Sequence, residues 1–168
     1  MRRRRLLTLG VLSAAVLALG GGALALLQPG VRDGRLTDSG RLVFAAVGRA
    51  LLDGTLPADG PAAAAEVKAM LVRLDDAIAS LPTHVQSELS QLVALLATGA
   101  GRVAIAGLPP SWGEASVPQC QQALQRMRWS DVTLRRQAYQ ALHDLVGSAY
   151  FSDPATWNAL GYPGPLKI

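Results

Sequence analysis

Apolar residues recur at helical spacing along most of this chain. Thr37 or Asp38 can cap a first segment that runs to about Leu52, places Phe44, Val47 and Leu51 on one face, and stops at Asp53-Gly54. Gly60-Pro61 opens a second, in which proline at the first turn gives up an amide that has no partner there anyway; Val67, Met70, Leu71, Leu74 and Ile78 form its stripe before Pro82. Thr83-x-x-Gln86 reads as a capping box for a third, with Val85, Leu89, Leu92, Val93 and Leu96 buried and Gly99 as its end. Gly99 to Ser116 breaks the pattern with Pro109-Pro110 and Trp112 and reads as an irregular connection, with one helical turn near Arg102 to Ala106. Ser116 caps a fourth helix, Val117 or Pro118 to Arg128. A fifth starts at Ser130 or Asp131 and reaches about Tyr150. Asp153-Pro154 caps a short last helix closed by Gly161. No segment alternates with period two, so no sheet is expected.

The first residues have a different character. Four arginines precede Leu6 to Leu27, an uncharged apolar stretch of about 22 residues that would span about 33 Å as a helix, enough for a bilayer core. The basic flank belongs on the cytoplasmic side, which sends the rest of the chain outward. Arg3-Arg4-Arg5-Leu6-Leu7 fits a twin-arginine signal, with Arg3, Arg4, Leu6 and Leu7 as its determinants; a plain secretory signal or signal anchor also begins with arginines. Ala23-Leu24-Ala25 offers cleavage after Ala25, and Leu26-Leu27 extends the apolar run as an uncleaved anchor would. The expected organisation is a signal or anchor at 1–27, a linker at 28–36 containing Pro29, Gly30 and Gly34, and a helical domain at 37–168. The fold class predicted is all-α: a small bundle of about five helices plus a short C-terminal helix, preceded by the apolar N-terminal helix.

Charge removes one class of partner. The net charge of +4 resides in the leading arginines, because the remaining basic and acidic side chains balance. A neutral body has no general attraction for a phosphate backbone, so nucleic acid is not expected. Cys120 is the sole cysteine, which excludes an internal disulfide and a C-x-x-C pair, and burial is its expected state. His84 and His143 have no metal-ligand partners at useful spacing, and His143-Asp144 reads as a solvated pair. Gly99-x-Gly101 follows a helix rather than a strand, which does not suit a dinucleotide loop. No catalytic, cofactor-binding or metal-binding residue is expected in this chain, and it is not expected to be an enzyme.

Aromatic residues carry more information. Of eight, six lie between Trp129 and Tyr162. Trp157 and Tyr162 occupy a chain end that would fray unless the rings are buried, either on the protein's own bundle or on a partner. Arg126, Arg128, Arg135 and Arg136 cluster near the joint of the last two long helices, as an ordinary solvated face or as a docking patch for an acidic partner.

The closing stretch from Ala149 to Pro165, with Tyr150-Phe151-Ser152-Asp153-Pro154 and Trp157-Asn158-Ala159-Leu160-Gly161-Tyr162-Pro163, resembles the C-terminal signature of the gluconate 2-dehydrogenase third-subunit family and its shorter relatives beside glucose-methanol-choline oxidoreductases. The order of features is similar too: arginine signal, Leu51-Leu52-Asp53-Gly54-x-Leu56-Pro57, a Trp-containing loop, then Arg135-Arg136-Gln137-Ala138-Tyr139. The resemblance implies a non-catalytic accessory subunit that escorts a large flavoprotein dehydrogenase, carrying the FAD, to the periplasm by the twin-arginine route. Electrons there pass to a c-type cytochrome or quinone. Trp112, Arg135, Arg136, Tyr150, Phe151, Asp153, Pro154, Trp157, Tyr162 and Pro163 are the contact residues it implies. The alternative is a signal-anchored periplasmic helical module that binds a lipid or quinone.

Overall fold

The computed structural model describes residues 28–57 and 60–164. The signal or anchor expected at 1–27, with Arg3, Arg4, Leu6 and Leu7, lies outside the described residues.

Helices dominate, as the apolar spacing predicts. The elements run β1 (Val31–Arg32), β2 (Arg35–Leu36), α1 (Asp38–Leu51), α2 (Pro61–Ala79), α3 (Thr83–Ala97), α4 (Gly99–Ala106), α5 (Val117–Arg128) and α6 (Thr133–Phe151), closed by a 3-10 helix at Pro154–Leu160. Two caps form where the sequence places them. Thr37 accepts from the Gly40 amide at the start of α1, and Ser116 and Gln119 make a reciprocal capping box on α5. The third expected cap does not form: α3 begins at Thr83 behind Pro82, and the Gln86 amide instead donates to the Leu81 carbonyl at 2.9 Å.

Helix α1 is the hub and packs against α2, α3, α5 and α6. Its small residues permit this: Gly40, Val43, Phe44, Ala46, Val47, Gly48 and Ala50 are all buried. Around it Met70, Leu74 and Ile78 from α2, Leu92 and Leu96 from α3, Met127 from α5 and Leu142 from α6 are fully buried and fill one interior.

Two stretches differ from expectation. Residues 28–36, expected to be a linker, hold a β-hairpin that pairs Val31 with Leu36 and Arg32 with Arg35. Asp33 and Gly34 turn it with positive φ of 51° and 73°, the two-residue geometry that Asp-Gly supplies. Two residues per strand are too few to register as alternation. The hairpin is fastened to the bundle: Ser90 of α3 accepts from the Val31 amide and donates to its carbonyl, while Asp75 of α2 accepts from the Leu36 amide at 2.9 Å and pairs with Arg41 of α1. Gly40 is required here, because a β-carbon on it would overlap the Gly30 carbonyl oxygen.

The second stretch is Gly99 to Ser116. Its expected single turn is a full helix, α4, which leaves α3 at 100°. Thr98 makes the bend by donating to the Leu95 carbonyl at 2.8 Å and accepting from the Gly101 amide at 3.0 Å. Only glycine fits at 101, where a β-carbon would overlap the Leu95 oxygen, and Gly107 ends α4 in the left-handed conformation.

Candidate docking surface

The residues expected to meet a partner divide into interior and surface groups. Trp112 and Tyr150 belong to the interior, each 3% exposed, which corrects their expected role as contact residues. Trp112 folds back from its loop so that its indole N–H donates to the Leu96 carbonyl at 2.7 Å. Tyr150 donates its hydroxyl to the Thr55 carbonyl at 3.2 Å and stacks edge-on with Phe151 at 5.1 Å. Both are large rings whose single polar atom finds a backbone partner, the usual condition for burying them.

The C-terminal motif folds mainly on itself and on the end of α6. Arg73 of α2 donates to the Ala149 carbonyl at 2.9 Å and to Asp153 at 3.0 Å, so one guanidinium satisfies the helix end and holds the motif's carboxylate. Asp153 also accepts from the Ala155 amide, and buried Thr156 donates to the Asp153 carbonyl at 2.7 Å. Half-buried Trp157 donates to the Phe151 carbonyl at 2.8 Å and meets the Tyr162 ring at 5.4 Å. Trp157 thus meets Phe151, Tyr162 and Gly164 at the end of α6 and within its own segment, and stays half-buried. Tyr162, Pro163 and Pro154 remain exposed, and Phe151 and Asp153 half-buried.

The arginines between α4 and α6 serve chiefly as clamps. Arg135 donates twice to the Ala104 carbonyl, at 3.2 and 2.8 Å, and Arg126 donates to the Gly107 carbonyl at 2.9 Å. Arg102 donates to the Leu108 and Pro109 carbonyls. Three cations thus gather at the carbonyl end of α4, where the helix dipole favours them. Arg136 ties the α5–α6 turn together through the Ser130 carbonyl and the Thr133 hydroxyl.

Beside these clamps lies the most exposed ring of the chain. Trp129, the C-cap of α5, is 75% exposed, and Val132 three residues on is 51% exposed. The Arg128 guanidinium lies 5.1 Å from the Trp129 ring centroid and 6.0 Å from that of Tyr139. Tyr139 is half-buried and helps line an open groove of about 680 Å³. Leu51, Leu124 and Tyr139 supply apolar lining, and Gln122, Gln125 and Arg126 supply donors. At one side Gln121 donates to the Ala50 carbonyl and to Asp53, fastening α5 to the end of α1.

Cys120 is buried, as expected, and burial pushes its thiol pKa up, with Arg49 opposing weakly. His143 is exposed and pairs with exposed Asp144 at 3.2 Å, the solvated pair expected. Among the described residues no group of three or more His, Cys, Asp or Glu side chains is placed to hold a metal, and no single helix is long and apolar enough to cross a membrane.

Arg73, Asp75 and Trp129 are the residues that sequence reasoning passed over. Asp75 carried a signal: it stands four residues after Leu71 and three before Ile78, on the apolar stripe of α2, where a charge needs partners. Trp129 stood out only as one aromatic among six. No family model, no curated protein and no solved structure matches this chain.

Proposed function

We propose that this protein is the non-catalytic accessory subunit of a flavin-dependent dehydrogenase, exported by the twin-arginine route and docked to the flavoprotein at the periplasmic face of the cytoplasmic membrane. The FAD belongs to the partner, and electrons leave it for a c-type cytochrome or quinone. The observation that carries this reading is the pairing of an arginine-led apolar leader with an ordered domain that presents aromatic side chains outward. Trp129 and Tyr162 are substantially exposed, at 75% and 47%, on backbone that is capped and hydrogen-bonded. Rings held out in this way bury large area against a partner at little entropic cost. The alternative, a lipid or quinone held among the helices, has less support, because Phe44, Met70, Leu92 and Met127 already fill the space between them.

Coexpression with a flavin dehydrogenase subunit lacking its own export signal tests the proposal. Replacing Arg3 and Arg4 by Lys is expected to strand the flavoprotein in the cytoplasm. Unchanged export of the flavoprotein, or recovery of the chain from the periplasm with no flavoprotein attached, overturns it.

A further inference from the structure

We propose that the groove formed by α5, the end of α1 and Tyr139 of α6, together with Trp129, receives an acidic, extended segment of the partner protein, with one apolar residue against Trp129 and carboxylates on the flanking arginines. The inference rests on the accessory-subunit reading for the partner's identity, and on the surface itself for the partner's chemistry.

Charge is the first argument. Near the groove the chain carries Arg126, Arg128, Arg135 and Arg136 against Asp131 and Asp53, the latter already accepting from Gln121, with Asp144 further along α6. The clamping hydrogen bonds to Ala104, Gly107 and Ser130 leave these guanidinium groups charged and occupy only some of their five N–H donors. The local excess is therefore positive on a body that is neutral as a whole, and the complementary surface is acidic.

Shape and lining are the second. The exposed ring is linked to the groove through Arg128, whose guanidinium lies 5.1 Å from the Trp129 ring centroid and 6.0 Å from that of Tyr139, a lining residue. Gln122 and Gln125 present side-chain amides along it, each able to donate to and accept from a peptide backbone. Leu51 and Leu124 give it an apolar floor. A lipid headgroup would use the arginines but not a row of amides, so a polypeptide is the occupant favoured. Trp and Arg side by side are also the residue types that dominate protein interfaces.

The test uses the full-length chain in nanodiscs of neutral lipid, titrated calorimetrically with a short glutamate-rich peptide carrying one central phenylalanine. Saturable binding that weakens as salt is raised is expected, with no binding of a lysine-rich counterpart. Trp129→Ala and Arg128→Glu should each weaken binding at least about tenfold, and Trp129→Tyr should retain it to within a few-fold. Both side chains are exposed, and unchanged circular dichroism confirms that the variants fold. No binding at low salt, or equal affinity of the variants and the parent, overturns the proposal. So does a Trp129-dependent emission shift on anionic lipid in the absence of peptide affinity, which assigns the surface to a membrane. In parallel, capture of the coexpressed flavoprotein separates the two readings. Peptide binding without flavoprotein capture overturns the accessory role alone, and flavoprotein capture unaffected by Trp129→Ala and Arg128→Glu overturns this surface alone.

Discussion

The hairpin region and the α5–α6 joint are built on opposite terms. At the hairpin, α1 meets the chain so closely that Gly40 has no room for a β-carbon beside the Gly30 carbonyl, and buried Asp75 joins three elements by accepting from Leu36 and pairing with Arg41. At the α5–α6 joint, the polar groups are also satisfied, but by long arginine side chains at the surface, and an open groove and an exposed tryptophan remain between them. The first region is closed by backbone contact that tolerates no added atom. The second is closed by clamps that hold carbonyls yet leave apolar area in water. Close backbone packing is concentrated in the first region, and exposed apolar area in the second.

Substitutions can break that contrast. Gly40→Ala should cost the most, about 3 kcal/mol, because overlap with a backbone oxygen outweighs the gain in helix propensity that alanine brings elsewhere. A urea midpoint that is unchanged or raised would show that the hairpin can move away. Asp75→Ala should cost about 2 kcal/mol by leaving the Leu36 amide and Arg41 without their acceptor, and amide hydrogen exchange should rise first at Val31 to Leu36. Arg135→Ala should cost about 1 kcal/mol, since it frees one carbonyl at the end of α4 that water can partly satisfy; its increased exchange should be confined to α4 and Gly107. Trp129→Ala should change stability by less than about 0.5 kcal/mol, measured in the same urea series. A loss comparable to that of Asp75→Ala would mean that the joint also bears the fold's stability, and the contrast would fail.

Much of the helical layout was legible because its signals are local. Pro61 at the first turn of α2, Thr37 before α1 and Ser116 before α5 each act within one helical turn, and each stands where it was read, whereas the partnership of Ser116 with Gln119 was not foreseen. The hairpin was missed because Asp33-Gly34, the residues that specify it, sit between strands of only two residues, so that nothing around them alternates. Helix α4 was underestimated because Gly99 and Gly101 lower its intrinsic propensity, whereas its formation depends on a bend at Thr98 and on arginines arriving from α5 and α6. Such partners are distant in sequence. Trp112 was named a contact residue only through the resemblance; its interior place depends on its N–H reaching the Leu96 carbonyl, a partner outside its own loop. The candidate site was legible only as a cluster of arginines and aromatics. Which ring would be hidden and which left outside depended on those long-range hydrogen bonds.

The position of Cys120 has a further consequence. The chain holds a single sulfhydryl, and it is sealed among apolar neighbours on the buried side of α5. No cross-link awaits an oxidant to complete the architecture, so the domain can reach its final form in a reducing cell interior and keep it in an oxidising exterior. Added reductant is therefore expected to leave its unfolding midpoint unchanged.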